Sequence, residues 1–187
     1  PFLDPTLKCA ACVAQVFRFS QVFRIGVYAN ELRDACIRGK SPGSDALPAA
    51  LAAFLWQREQ QRITEFSPNM VVPVPQHWRH WFTRPHHQAT TIGESLASSL
   101  GIACRTGLVR KTRHTIDQSS LAGAARRANL RNAFDVTRRG SKFVAGSRVL
   151  LADDVFTTGS TVNAISKSLL KAGASDVAVA VLAVVPP

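Results

Sequence analysis

Apolar positions along the 187 residues recur with two different periods. The run DVAVAVLAVV, starting at residue 176, is apolar at successive positions instead of alternating, which suits a parallel strand covered by helices on both faces. SRVLL predicts another apolar strand over 148–151. Between the two, TVNAISKSLLKAG puts Val162, Ile165 and Leu169 on one helical face and ends at Gly173. Strand, helix and strand in that order form a β-α-β unit. Upstream, Ala89, Ile92, Leu96 and Leu100 share a face of a helix predicted between Pro85 and Gly101. NMVVPVPQHW reads as a short strand entering a rigid proline-bounded loop, and a further strand is predicted near 108–110. Two helices precede these. One starts at Asn30 as cap, with Glu31 at its positive end and Gly39 as its close; the other is the alanine- and leucine-rich run that follows a capping Ser44 or Asp45. Residues 1–24 show no clear period and read as an appendage. The expected architecture is α/β: one domain over 25–187, with a mostly parallel central sheet flanked by helices.

Composition narrows the picture. A chain of this length buries roughly 70% of its unfolded surface and needs no disulfides to fold. The longest apolar run, VAVAVLAVVPP, is well short of the roughly 20 residues of a membrane helix. No membrane span is expected. Nothing at the amino end resembles a secretory leader, although the chain opens on Pro1, so a cytoplasmic location is expected. The net charge of +11 creates a field that attracts phosphates, nucleotides or nucleic acid. Much of the excess lies in residues 105–142.

Four cysteines occur. Cys36 and Cys104 read as small buried hydrophobes. Cys9 and Cys12 have the spacing of half a tetrahedral zinc site, with no second pair nearby; they are the tail of a longer motif, a redox pair or an accident of sequence. Zinc is therefore not expected on this chain alone.

The chemistry concentrates in VLLADDVFTTGST, residues 149–161. In open α/β sheets the ligand crevice lies beyond the carboxyl ends of the strands, where this loop would sit. Backbone amides of Thr157, Thr158, Gly159, Ser160 and Thr161, just ahead of a helix, can converge on a phosphate, and the hydroxyls add donors. Asp153 and Asp154 would repel that phosphate if they faced it. Beside it, they can accept from sugar hydroxyls or hold hydrated magnesium. A 5-phosphorylated ribose satisfies both halves. The competing reading, a nucleotide triphosphatase, needs G-x-x-x-x-G-K-[ST]; DACIRGKS, with Gly39, Lys40 and Ser41, has Asp34 in place of the first glycine and closes a predicted helix.

VLLADDVFTTGST resembles the phosphoribosyl pyrophosphate (PRPP) signature of type I phosphoribosyltransferases. VVPVPQHWRH, RPHHQA, DQSSL with RRANLRNAF, and KAGASDVAVAVLAVV resemble, in order, the competence-associated ComF family of phosphoribosyltransferase-like proteins. The resemblance implies a type I phosphoribosyltransferase fold with a small hood, and it implies roles by position. Asp153 and Asp154 would serve the ribose and, through ribose or water, magnesium; residues 157–161 would hold the 5-phosphate. Gln76, His77 and Arg79 would bind pyrophosphate, and Lys111, Arg113, Gln118 and Arg126 would belong to a mobile loop. The family's cysteine-rich zinc module is resembled only by Cys9 and Cys12. Where the family has Arg-Gly-Phe-Asn-Gln, this chain has Arg84, Pro85, His86, His87 and Gln88.

The implied reaction transfers a 5-phosphoribosyl group from PRPP to an unidentified nitrogen acceptor with release of pyrophosphate, whose charge Arg79, Lys111 or Arg113 would stabilise. No general base is evident, His77, His86 and His87 being candidates by type alone. The alternative is a non-catalytic accessory protein of DNA uptake that binds single-stranded nucleic acid. Against it, residues 111–131 contain no aromatic side chain to stack bases. A homodimer is compatible with either reading.

Overall fold

The structure, a computed structural model, describes residues 16–41, 43–75, 88–112 and 133–186. Its elements are β1 (Gln21–Val27), α1 (Asn30–Arg38), α2 (Ala46–Phe66), β2 (Met70–Pro73), α3 (Gln88–Leu100), β3 (Ala103–Cys104), β4 (Val109–Lys111), β5 (Phe134–Val136), α4 (Arg138–Val144), β6 (Arg148–Phe156), α5 (Ser160–Lys171) and β7 (Asp176–Val184). Five strands form a parallel sheet in the order β1-β7-β6-β2-β3, and β4 and β5 form a separate antiparallel hairpin. The α/β class with a parallel sheet is as expected.

Strand alternation divides the core into two faces. Val149, Leu151, Val177 and Val179 pack with Val162, Ile165 and Leu169 of α5, with Val144 of α4, and with Leu108 and Phe134 near the hairpin. Leu150, Ala152, Ala178 and Ala180 face Cys36 of α1, Leu55 and Ile63 of α2, and Ile92 and Leu96 of α3. The seven residues Val177–Ala183 of β7 are all buried, which explains why that strand shows no alternation in the sequence.

On the second face, Gly93 lets α3 come close to the sheet. A Cβ there would stand 2.9 Å from Pro73 and 3.5 Å from Ala152. Gly101, at φ +65, follows α3 in the left-handed region expected of it.

Three expectations change. β1 crosses the boundary expected between residues 24 and 25, because Gln21–Arg24 pair with Ala178–Val181 and Phe23 lies fully buried in the core. Asn30 does not cap α1: it lies inside the helix at φ +47, and Ala29 occupies the cap position without a side-chain bond. Neither does a side chain cap α2, where Asp45 stands at the N-cap and the Ser44 hydroxyl donates to the Ser41 carbonyl at 2.5 Å.

Candidate functional site

β6 does not stop where its apolar run stops. It continues through Asp153 and Asp154 to Phe156, with Asp153 in register with Val181 and Val155 with Ala183. The acids therefore stand on the strand, not in the loop. The turn proper is Thr157–Gly159, and α5 starts at Ser160.

Alternation turns Asp153 toward the Leu151 side of the sheet and Asp154 toward the Ala152 side, where α1 lies. There the Lys40 ammonium, two residues beyond α1, meets the Asp154 carboxylate at 2.7 Å. Each acid also accepts from the next backbone amide, Asp154 N to Asp153 Oδ1 at 2.9 Å and Val155 N to Asp154 Oδ1 at 2.8 Å.

The two carboxyls are inequivalent. Burial, followed by the neighbouring Asp154 charge, pushes the Asp153 carboxyl well above the ordinary carboxylate range, and the Asp154 amide and Lys40 oppose this only in part. For Lys40, burial works to lower its pKa, but the Asp154 carboxylate more than offsets that and leaves it raised. One ion-paired acid thus stands beside one that resists ionisation.

Gly159 has φ +69 at the N-cap of α5, and a Cβ there would overlap the Phe156 ring and approach Phe17 to 3.0 Å. Thr158 Oγ1 and Ser160 Oγ are 2.8 Å apart across the turn, and Thr158 Oγ1 also accepts from the Ser160 amide at 3.4 Å. Thr157 is exposed, Thr158 and Thr161 are half-buried, and Gly159 and Ser160 are buried. The first-turn amides of a helix have no intrahelical acceptor, so this turn can direct N–H groups and hydroxyls at an anion.

The segment before β1 braces the same turn. Phe17, Phe19 and Phe156 form an aromatic cluster with ring centroids 4.8–6.2 Å apart. Asn163 of α5 accepts from the Arg18 amide at 2.7 Å and donates to the Val16 carbonyl at 3.3 Å. Neither this brace nor Lys40 was anticipated from the sequence. The only signal for Lys40 is the Gly-Lys-Ser that follows α1, and as a triphosphatase motif it fails.

Lys111 stands at the end of β4 in register with Phe134. Gln76, His77 and Arg79, Arg84 to His87, Arg113, Gln118 and Arg126, and Cys9 and Cys12 lie outside the described residues. Pro75 leaves β2 on the way to the expected pyrophosphate turn. Among the described residues no cluster of three or more His, Cys, Asp or Glu side chains could hold a metal, and no helix is long and apolar enough to cross a membrane.

Cys36 is buried and Cys104 half-buried, both free, and burial pushes each thiol up to about 11. Both should therefore alkylate slowly. With iodoacetamide at pH 8, the peptides carrying them are expected to label about 100-fold more slowly than an unperturbed thiol. Mass spectrometry of a labelling time course checks this.

Comparison with known proteins agrees with the geometry. The phosphoribosyl transferase domain family matches residues 85–186. Competence protein F of Haemophilus influenzae is 34% identical over 175 residues, covering 91% of this chain and 76% of that protein. DNA utilization protein YhgH of Salmonella typhimurium is 32% identical over 186 residues, covering 96% of this chain and 78% of the other. An allosteric regulatory enzyme of purine biosynthesis shares the fold, with a TM-score of 0.50 at 22% identity over 74% of this chain and 26% of that one. The chain belongs to the ComF/YhgH family and carries its phosphoribosyl transferase domain.

Proposed function

We propose that the chain binds PRPP and transfers its 5-phosphoribosyl group to a nitrogen acceptor with release of pyrophosphate. The observation that carries this reading is the succession, within eight residues, of two inequivalent acids on β6, the left-handed Gly159 and the start of α5. The turn, from Thr157 to Thr161, takes the 5-phosphate. The carboxyls of Asp153 and Asp154 take the ribose hydroxyls: an ionised acid accepts from them, and a protonated one can also donate.

Two adjacent hard oxygen donors fit magnesium, directly or through ribose and water. When bound, the ion would neutralise charge on the departing pyrophosphate. Lys40 holds Asp154 as an ion pair until sugar arrives, which offsets the charge that Asp154 places beside Asp153. Gln76, His77 and Arg79 would receive the pyrophosphate, while Lys111, Arg113, Gln118 and Arg126 would close over the substrate and exclude water.

Titration of the full chain with PRPP and magnesium, followed by competition, tests this. Ribose 5-phosphate, which fills both halves of the site, is expected to displace PRPP better than inorganic phosphate does. Failure of ribose 5-phosphate to compete would overturn the sugar-phosphate assignment. A screen of nitrogen acceptors, read by pyrophosphate release, then tests turnover.

A second reading, binding of single-stranded DNA, is favoured by the net charge of +11 and by the competence and DNA-utilization names of the relatives. Backbone binding makes the logarithm of affinity fall linearly with the logarithm of salt. A flat response would remove it.

A further inference from the structure

Away from the Asp153–Ser160 region, at the foot of the β4-β5 hairpin, lies a cavity of about 700 Å³. Arg105, Arg110, Arg138 and Arg139 line it, together with Phe143. It lies toward the amino ends of the parallel strands. The Arg105 amide bonds to Val71 at the start of β2, and α4 leads into the start of β6, whereas the acids and the turn occupy the far end of β6.

Four guanidinium groups are permanently charged and repel one another. Among the described residues none of the four is in an ion pair, since the salt bridges there involve Arg33, Lys40 and Arg62. The acid nearest in register is the exposed Asp135, opposite Arg110. Nε of Arg105 is buried with no hydrogen-bond partner. The Arg105 guanidinium instead stacks on the Phe143 ring at 3.8 Å, and Phe143 remains 44% exposed.

The floor of the cavity is fixed. Thr137 Oγ1 accepts from the Gly140 amide at 3.1 Å, and a Cβ on Gly140 would stand 2.9 Å from the Leu108 carbonyl oxygen. An unneutralised set of cations around a rigid hollow with an aromatic wall has the chemistry of a phosphate site with a stacking platform.

We infer that this cavity binds a nucleoside di- or triphosphate, its phosphates held by the four arginines and its base against Phe143. The volume falls in the range of small-ligand pockets, and a fixed floor suits a compact ligand better than a continuous strand. Several phosphates match four guanidiniums better than one does. The inference does not depend on the sugar-phosphate reading of the Asp153–Thr161 region.

The experiment measures binding of ATP to the full chain by calorimetry, with PRPP and magnesium at saturation, and repeats it with pyrophosphate and with a 12-residue oligodeoxythymidylate. Arg138 and Arg139 are exposed, so Arg138→Gln/Arg139→Gln is expected to leave the fold intact, which an unchanged Tm checks. That variant is expected to lose about tenfold or more of its ATP affinity. Phe143→Ala, which removes the base platform and the ring that supports Arg105, should weaken ATP more than pyrophosphate, and Asp153→Asn should leave ATP unchanged. ATP binding that PRPP abolishes, or that the double arginine variant leaves intact, overturns the assignment. So does absence of ATP binding, or arginine-dependent binding of the oligonucleotide alone, which would give the cavity to a strand.

Discussion

Asp153→Asn is expected to make the protein more stable at pH 8 and poorer at binding PRPP, whereas Asp154→Asn should weaken both properties. The Asp153 carboxyl titrates well above its ordinary value because burial and the Asp154 charge disfavour its ionised form. A carboxyl whose folded value is raised contributes stability below its unfolded value, near 3.8, and loses that contribution as pH rises through the folded value. Asparagine never ionises. The stability gain should therefore be present at pH 8 and vanish by about pH 4, which thermal unfolding at the two pH values checks. At position 154 the sign reverses, because the variant leaves the partly exposed Lys40 ammonium without its charged partner. A partly exposed pair of this kind contributes at most about 1 kcal/mol. In both variants PRPP affinity should fall by roughly 10- to 100-fold, the worth of a hydrogen bond to a charged group. Unchanged PRPP affinity in both would remove the acids from the sugar site.

Gly159→Ala should cost about 2–5 kcal/mol and abolish PRPP binding. The left-handed conformation at φ +69 costs a residue with a Cβ about 1–2 kcal/mol, and forcing that Cβ into the Phe156 ring adds a further overpacking penalty of about 1–3 kcal/mol. For a chain of this size the change corresponds to a fall in Tm of several degrees. A double-mutant cycle separates the two causes. Phe156→Ala makes room for the methyl group without altering the backbone, so the pair should show a favourable coupling of about 1 kcal/mol or more, while the backbone strain persists. Strict additivity would show that the ring plays no part.

Much of this arrangement was written plainly in the chain. β7 and α5 follow directly from hydrophobic periodicity: the buried run of β7 is entirely apolar, and Val162, Ile165 and Leu169 give α5 an apolar face on which Ser160 and Ser166 are the buried polar exceptions. The α3 face was legible for the same reason. β1 was not: Arg24 and the surrounding part-buried positions of this edge strand give no clean period, and its place depends on a partner 157 residues away, Gln21 with Ala178. β6 seemed to end at Leu151 since charge normally marks a loop, yet backbone pairing to β7 carries the strand on through both acids. The turn around Gly159 was readable from residue types alone. Lys40 was not, because only the packing of α1 against the Ala152 side of the sheet brings it to Asp154.

The middle of the described sheet is supplied by the strands that come latest in it along the sequence. β6 and β7 stand between β1 on one side and β2 on the other. While a ribosome is still adding residues before Asp176, β1 lacks the strand it pairs with among the described residues, and its edge is left open to a chaperone or to aggregation. Nascent chains arrested at successive lengths should stay protease-sensitive until β7 has cleared the exit tunnel, then become resistant in one step. Assembly of this domain is accordingly a late and cooperative event in translation.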